Sequence, residues 1–474
     1  MKVYLLVDFG STYTKVTAID PESETVVGRA QAPTTAETDI SAGLDQALLM
    51  LYSTTGLSEN EICGRYASSS AAGGLKMVAI GLVPDLTLDA ARRAALGAGA
   101  KVTGAYGFEI DRALVSEIED KHCDIIMLCG GTDGGNKKTI LHNATMLAKS
   151  KIDCPVLVCG NRVVSGQIEG TLKKAGKRVY VTQNVLPGVT EINIEPAQNL
   201  IREIFIEHII KAKGLDKIKD RFDKPIIPTP KASLTAAELL ADGTSNEAGI
   251  GSLLVVEVGG ATTNIHSVTD IMPFTQQTVV RGLPETRASR TVEGDLGIRF
   301  NARTIFDFVG PLKLKQLAER LAPGAEACDP DAYTSLLNKT TGHIPQTHHE
   351  SLMDIALATS AVKIAVDRHA GELKTEFSAI GEINIQHGKN LFEVKNILGT
   401  GGIFSYGAEP GTILEAALFS DSEPWSLKPR APVVYLDSDY LLYAMGLFSQ
   451  EDPDIALRIM KKHLKPVSVK HKND

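Results

Sequence analysis

Two stretches of this sequence place a carboxylate, glycines and hydroxyl groups directly after an apolar run. In residues 3–16, V-Y-L-L-V-D-F-G-S-T-Y-T-K-V, the carboxylate is Asp8, and in residues 253–264, L-L-V-V-E-V-G-G-A-T-T-N, it is Glu257. Backbone N–H groups in such a turn can approach phosphate oxygens because glycine has no Cβ. A carboxylate beside them can hold the waters of a Mg²⁺ ion that bridges the phosphates. Each stretch therefore predicts a phosphate and magnesium site.

The candidate residues follow from these roles. Asp8 and Glu257 are the candidate metal ligands, and either could orient an attacking water. The candidate nucleotide-binding residues of the two stretches are Gly10, Ser11, Thr12, Thr14, Lys15, Gly259, Gly260, Ala261, Thr262 and Thr263. A third glycine-rich segment, L-G-T-G-G, suits close approach to a flat nucleoside and adds Gly399, Thr400, Gly401 and Gly402. One such stretch alone is more often only a hairpin, but its repetition favours nucleotide binding.

The elements that would position these residues are two hairpins in separate halves. Each apolar run predicts a buried strand, and the alternation that resumes after each turn predicts a returning strand. Two such hairpins far apart indicate two similar halves that face each other across a nucleotide. Between them, residues 86–185 alternate helix and strand patterns, which predicts a parallel sheet with covered faces. In its turn G-G-T-D-G-G-N, Asp133 could orient a water or a partner loop, or cap the following helix.

A proline-rich segment separates the two halves. Residues 224–231, K-P-I-I-P-T-P-K, are predicted to be neither helix nor central strand. After them, Ser233 is predicted to cap a short alanine-rich helix over residues 234–241. Its small side chains would let a second connecting helix, predicted at residues 440–448, approach closely.

Composition narrows the class of protein. A chain of 474 residues is too long for one core and suits two lobes. With 43% hydrophobic and 22% charged residues it is typical of soluble globular proteins. Its net charge of -8 argues against a nucleic-acid partner. No signal peptide or membrane-spanning run is present, which predicts a cytoplasmic protein with no membrane partner.

The cysteines form no metal or redox motif in the sequence. There are 6, without any C-x-x-C pair, and several lie in apolar runs. They are therefore predicted to be reduced core thiols. Cys154 and Cys159 as a redox or metal pair are the less favoured alternative.

The order of the three glycine-rich motifs resembles the two phosphate motifs and the adenosine motif of the actin/Hsp70/sugar-kinase ATPase superfamily. Together with L-C-G-G-T-D-G-G-N (residues 128–136) and V-E-G-D-L-G-I-R (residues 292–299), the set more closely resembles the MutL/GlmL family. These are accessory, reactivating proteins of adenosylcobalamin-dependent glutamate mutase and related aminomutases, unrelated to the mismatch-repair protein of the same name. The resemblance spans nearly the whole chain.

The resemblance implies an α/β, two-lobed actin-like ATPase (ribonuclease H-like) fold with an additional α/β segment in the first lobe. The implied divisions are a first lobe (residues 1–224), a linker and connector (225–250), a second lobe (251–432), a helix returning to the first lobe (433–460) and a solvated tail (461–474). By its place after the second hairpin, V-E-G-D should enter the cleft, where Glu293 and Asp295 could contact ribose or polarise the attacking water. In the plainer and slightly favoured interpretation, the two carboxylates only oppose the macrodipole of the helix that follows them.

The function implied by the resemblance is that of an ATP- and Mg²⁺-dependent chaperone that maintains or reactivates such a mutase. The cobalamin-binding pattern D-x-H-x-x-G is absent, so the partner is expected to carry that cofactor. Glu257 and Asn264 stand where the superfamily often has aspartate, which predicts a slow ATPase. The alternatives are a small-molecule kinase of the same fold, an actin-like filament protein and a scaffold that does not hydrolyse ATP.

Overall fold

A computed structural model describes residues 2–35, 39–70, 75–98, 100–189, 191–212, 215–322, 328–378 and 381–469. The chain divides into two compact units. Unit 1 comprises residues 1–72, 211–281 and 286–474, and unit 2 comprises residues 73–210 and 282–285.

The strands of the described residues are, in chain order, β1 (Val3–Phe9), β2 (Tyr13–Asp20), β3 (Thr25–Pro33), β4 (Ile62–Ser69), β5 (Leu75–Ile80), β6 (Ala100–Tyr106), β7 (Ile125–Leu128), β8 (Val156–Val158), β9 (Val179–Val181), β10 (Ile227–Pro228), β11 (Leu253–Val258), β12 (Thr263–Val268), β13 (Val279–Arg281), β14 (Ala288–Glu293), β15 (Glu372–Ser378), β16 (Gly381–His387), β17 (Asn396–Thr400), β18 (Val433–Leu436) and β19 (Lys465–Pro466). The α-helices are α1 (Ile40–Thr55), α2 (Asp89–Ala98), α3 (Arg112–Asp120), α4 (Lys138–Ala148), α5 (Ser165–Lys174), α6 (Glu195–Ala212), α7 (Thr229–Asp242), α8 (Ala302–Val309), α9 (Pro311–Leu321), α10 (Pro330–Lys339), α11 (His348–His369), α12 (Gly402–Tyr406), α13 (Pro410–Glu415), α14 (Leu442–Phe448) and α15 (Pro453–His463).

Unit 1 contains two sheets of the same design. The first has the order β3-β2-β1-β4-β10, and the second has the order β14-β12-β11-β17-β18-β19. In each, an antiparallel hairpin is followed by strands parallel to its first strand. The β11 side chains are buried throughout, as expected for a strand covered on both faces. These paired sheets confirm the predicted two-lobed α/β fold.

The linker prediction is wrong at its end. β10 occupies Ile227–Pro228, and α7 begins at Thr229, five residues before the predicted helix. Pro230 is tolerated in the first turn because the N–H that proline lacks has no partner inside a helix there. Ser233 therefore lies within α7 and is not its cap.

The first residues of the predicted solvated tail belong to regular elements. α15 continues to His463, and β19 pairs with β18 at the edge of the second sheet. Lys461, at the start of the predicted solvated tail, contacts Glu247 through its ammonium at 2.5 Å. Residues 470–474 of that prediction lie outside the described residues.

Unit 2 is built on one parallel sheet, as the helix and strand alternation predicts. Its order is β6-β5-β7-β8-β9, and every neighbouring pair is parallel. Asp133 does not cap α4: its Oδ1 accepts hydrogen bonds from the Arg162 backbone N–H at 2.9 Å and from Asn184 at 3.0 Å. Asn136 accepts from the Thr139 N–H at 3.1 Å instead. Across the described parts of both units, no helix is long and apolar enough to cross a bilayer.

The second lobe contains a buried histidine, His369. His369 ends α11, where its ring nitrogens bond the hydroxyls of Ser267 at 2.8 Å and Thr291 at 3.1 Å. Burial, with the ammonium of Lys389 nearby, lowers the pKa of His369 well below its usual value. The folded protein therefore holds the imidazole neutral, whereas the unfolded chain takes up a proton near pH 6.5.

We expect this histidine to reduce stability as the pH falls. Because the pKa of His369 is lowered in the folded protein, its contribution to the free energy of unfolding is present above about pH 6.5. That contribution is lost as the pH falls below this value, by at most about 2 kcal/mol between pH 7 and pH 5. Urea unfolding of the wild type and His369→Gln at both pH values measures this difference. Equal pH dependence in the two proteins would contradict a buried neutral His369.

Candidate functional site

Each of the two hairpin turns is closed by an equivalent backbone hydrogen bond. The Gly10 N–H donates to the Tyr13 carbonyl at 3.1 Å, and the Gly259 N–H donates to the Thr262 carbonyl at 2.9 Å. A Cβ added at Gly10 would lie 2.6 Å from the Tyr13 oxygen, so this turn excludes a side chain there. The equivalence predicted from the sequence thus extends to the geometry of the turns.

The two carboxylates occupy equivalent positions in the hairpins. Asp8 lies opposite Lys15 in the pairing of β1 with β2, and Glu257 lies opposite Asn264 in the pairing of β11 with β12. Each cross-strand residue contacts its carboxylate: the Lys15 ammonium is 3.4 Å from Asp8, and the Asn264 amide donates to Glu257 at 3.1 Å. Asp8 is 1% exposed and Glu257 is 6% exposed. Both carboxylates are therefore buried and held in place.

Two hydroxyls that the sequence analysis missed also bind Asp8. Thr229 donates to its Oδ1 at 2.6 Å, and Ser68 donates to the same oxygen at 3.2 Å. Ser68 lies on β4, directly beside Asp8 in the parallel register, and Thr229 follows β10. The strand ends of the first sheet therefore converge on this carboxylate.

Glu257 is kept ionised by its neighbours. Burial alone would raise the pKa of Glu257, but hydrogen bonds from His266 at 3.4 Å and from Asn264 outweigh it and lower that pKa. Burial lowers the pKa of His266, so the neutral ring donates its Nε2–H to the carboxylate. The Tyr440 hydroxyl donates to the other carboxylate oxygen at 3.3 Å.

Lys15 and Tyr440 link the two carboxylates. The Lys15 ammonium contacts Asp8 and also lies 4.2 Å from the centroid of the Tyr440 ring, whose hydroxyl bonds Glu257. The turns also approach one another: a Cβ placed on Gly260 would lie 3.3 Å from the Thr12 hydroxyl oxygen. The two hairpins therefore lie close together within unit 1, with the Lys15 ammonium between their carboxylates.

Tyr440 has an unusual backbone. Its φ of 50° lies in the left-handed region, which bulky side chains rarely adopt and which costs about 1–3 kcal/mol. Asp437, three residues earlier, accepts hydrogen bonds from the Leu441 and Leu442 N–H groups at 2.8 and 2.9 Å, and so fixes the turn. The sequence signal was the acidic segment D-S-D that directly follows β18. The predicted helix over residues 440–448 began at Tyr440, whereas α14 begins at Leu442.

The hydroxyl groups predicted to bind phosphate fall into two groups, one partly exposed in the turns and one buried on the strands. Ser11, Thr12 and Thr262 lie in the turns and are partly exposed. Thr14 and Thr263 are fully buried, and their hydroxyls bond Thr34 at 3.1 Å and the Leu296 carbonyl at 2.7 Å. The structure thus leaves the turn hydroxyls, and not these two, partly accessible to a ligand.

The glycine-rich segment predicted to contact the nucleoside, L-G-T-G-G, is mostly packed against other parts of the protein. A Cβ at Gly399 would meet Leu414 at 2.9 Å, and Thr400 donates its hydroxyl hydrogen to Asp437 at 2.9 Å. Gly401 has a φ of 109°, and a Cβ there would lie 2.3 Å from the Val258 carbonyl oxygen. Gly402 borders open space among the described residues.

Glu293 and Asp295 contact a cation of their own lobe. Arg368 donates to Glu293 at 2.6 Å and to both oxygens of Asp295 at 3.0 Å. The structure therefore pairs both predicted cleft carboxylates with the last turn of α11 and brings neither to Asp8 or Glu257 through any described contact.

Comparison with known proteins identifies the family. A sequence model described as "MutL protein" matches residues 4–464. The chain belongs to the MutL family. Protein MutL of Clostridium tetanomorphum is 44% identical over 464 residues, which cover 98% of this chain and 99% of that protein. The predicted family is therefore confirmed over nearly the whole length.

Solved structures similar to this MutL-family protein are distant. Component A of (R)-2-hydroxyglutaryl-CoA dehydratase from Acidaminococcus fermentans has a TM-score of 0.32 and 9% identity, covering 98% of this chain and 99% of that one. Gluconate kinase from Lactobacillus acidophilus has a TM-score of 0.34 and 11% identity, covering 98% of this chain and 93% of that one.

The donor set of this MutL-family protein fits a magnesium ion better than a fully protein-bound metal. In the described parts of the chain, no three His, Cys, Asp or Glu side chains come together as a metal cluster. Mg²⁺ is commonly held by one or two carboxylates, with waters and phosphate oxygens completing its shell. The buried Oδ1 of Asn264, next to Glu257, has no hydrogen-bond partner among the described residues and suits a metal-bound water.

Proposed function

We propose that this MutL-family protein binds Mg²⁺-ATP between its two hairpins and hydrolyses it slowly. The observation that carries this proposal is the matched placement of Asp8 and Glu257 at equivalent strand ends, connected through Lys15 and Tyr440. Two buried carboxylates with a cation between them are arranged to receive a divalent ion and polyphosphate. The partly exposed hydroxyls of the turns lie beside them.

The chain would contribute mainly position and charge. Ser11, Thr12 and Thr262, with the N–H groups of the turns, would donate hydrogen bonds to phosphate oxygens, and Lys15 would add a positive charge. Asp8 and Glu257 would hold the metal through its waters, and the bound metal would neutralise phosphate charge. These effects are the larger part of catalysis in phosphoryl transfer.

The hydrogen bonds of Glu257 suit slow hydrolysis. A carboxylate whose pKa is lowered is a weak base, because its conjugate acid gives up the proton readily. Glu257 can orient a water molecule through its oxygens but takes a proton from it poorly. A long-lived ATP state would suit a protein that changes conformation on hydrolysis.

The proposed output is a change between the hairpins. Contacts from both turns to the terminal phosphate would join the two lobes, and loss of that phosphate would release them. A partner that binds one arrangement better than the other would then be controlled by ATP. From the sequence resemblance, we propose that this partner is an adenosylcobalamin-dependent mutase, such as glutamate mutase, in the cytoplasm, and that the protein maintains or reactivates it.

Two measurements separate the parts of this proposal. The first is ATP binding and phosphate release by the purified protein, with Mg²⁺ and with EDTA. The second is recovery of a mutase whose cobalamin has been inactivated, on adding the protein with ATP or with a non-hydrolysable analogue. No nucleotide binding would overturn the whole proposal. ATP hydrolysis without any recovery of the mutase would overturn the partner assignment, and transfer of phosphate to a small acceptor would indicate a kinase.

A further inference from the structure

Two pairs of cysteines connect the same two strands of unit 2. Cys129 and Cys159 directly follow β7 and β8, and their sulfur atoms are 3.2 Å apart. Cys123 and Cys154 precede the same strands, and their sulfur atoms are 3.5 Å apart. Residues 30 and 31 positions apart in the chain thus become neighbours at the two ends of one strand pair.

Access to solvent distinguishes the two pairs. Cys129 is 1% exposed and Cys159 is 0% exposed, so both thiols are buried in the folded protein. Cys123 and Cys154 are both partly exposed. Reactive cysteines need both access and a stabilised thiolate. Only the pair at the amino ends of the strands meets the first condition.

The hydrogen bond within the accessible pair gives its members different roles. Either thiol can be the donor in the contact between them, and this hydrogen bond lowers the pKa of Cys123 while it raises the pKa of Cys154. Cys123 therefore becomes the thiolate more readily and Cys154 retains its proton. This is the asymmetry between an attacking thiol and a thiol that reacts second.

We propose that Cys123 and Cys154 form a thiol–disulfide exchange site that takes a low-molecular-weight disulfide. The Cys123 thiolate attacks one sulfur of that disulfide, forms a mixed disulfide and expels a small thiolate, which takes up a proton. Cys154 then loses its proton to solvent and attacks the Cys123 sulfur, which releases the second small thiol. Overall, two protein thiols are oxidised to one disulfide, and the small disulfide is reduced to two thiols.

The backbone around the pair is already fixed for this reaction. The Ile126 N–H donates to the Pro155 carbonyl at 2.9 Å, and Ile126 pairs with Val156 in the parallel register of β7 and β8. The Asp124 N–H donates to the Lys76 carbonyl at 2.8 Å and ties the same segment to β5. Cys154 is therefore held within reach of Cys123, as a second attack requires.

The test exposes the full-length protein to glutathione and glutathione disulfide mixed in rising ratios. Free thiols are then trapped with iodoacetamide, and the digested protein is analysed by mass spectrometry. We expect a peptide pair joined through Cys123 and Cys154, two hydrogens lighter than the reduced peptides. Cys129 and Cys159 should be alkylated only after unfolding. The exposed Cys63 is an internal control that can take up glutathione but has no described partner thiol.

Variants assign the order of attack. In Cys154→Ser, glutathione should stay attached to Cys123, whereas in Cys123→Ser the joined peptide disappears and Cys154 takes up much less glutathione. Circular dichroism checks that both variants fold. The proposal is overturned if no joined peptide forms at any ratio, or if the buried pair oxidises at the same ratio as the accessible one. ATP hydrolysis plays no part in these readouts, so the proposed function stands or falls separately.

Discussion

Magnesium-dependent ATP hydrolysis is expected to fall by roughly 10²- to 10³-fold in Asp8→Asn and in Glu257→Gln, as for loss of a positioned catalytic group. Each substitution keeps the shape of the side chain but removes one of the two buried negative charges at the ends of β1 and β11. The amide can also no longer accept hydrogen bonds at both of its terminal atoms. In Asp8→Asn, Thr229 would meet an amide in place of the carboxylate. In Glu257→Gln, His266 and Tyr440 would do so.

The response to Mg²⁺ shows, for each variant, which role the lost carboxylate has. Raising the Mg²⁺ concentration should recover part of the activity if the lost charge acted on the metal, and none if it oriented the attacking water. The measurement is phosphate release at several Mg²⁺ concentrations, alongside thermal unfolding to confirm folding. Glu24→Gln is the matched control, because Glu24 lies in the first lobe but pairs with Arg458 and Lys462 on the surface. Full activity in Asp8→Asn would refute the shared site.

The hairpins could be predicted because their signals are local. An apolar run, a glycine turn and a resumed alternation specify strand, turn and strand within about fourteen residues, whatever the rest of the chain does. The alternation also allows a prediction of which side chains on each strand are buried. Thr14 follows the exposed turn by two residues and returns to the buried side, which its bond to Thr34 confirms. The choice of Thr14 and Thr263 as candidate ligands did not take that alternation into account.

The rest of the site depends on contacts between distant segments. Thr229 and Tyr440 reach Asp8 and Glu257 across 221 and 183 positions of sequence, through strand pairings that no short pattern reports. The cysteine pairs were missed for the same reason, because only the parallel register of β7 and β8 brings their members together. The start of α7 was misplaced because prolines were treated as excluding a helix, although the first turn accepts them.

Gly446→Ala is expected to destabilise unit 1 by about 3 kcal/mol or more, the upper part of the range for overpacked sites. Gly446 lies on α14 where this helix crosses α7, and the two helices are packed together in the core. A Cβ at this position would lie 1.9 Å from the carbonyl oxygen of Ala232 and 2.6 Å from its carbonyl carbon. Backbone atoms cannot turn aside as a flexible side chain does, so the helices would have to separate.

The matched control is the same substitution where there is room. Gly170 lies within α5, and a Cβ there meets no atom of the described residues within 4 Å. Gly170→Ala should therefore stabilise its helix by about 0.5–1 kcal/mol, the ordinary preference for alanine over glycine. Urea unfolding, followed by circular dichroism, measures whether each substitution lowers or raises the free energy of unfolding. If Gly446→Ala were as stable as the wild type, the connector helices would cross at a greater distance than the structure shows.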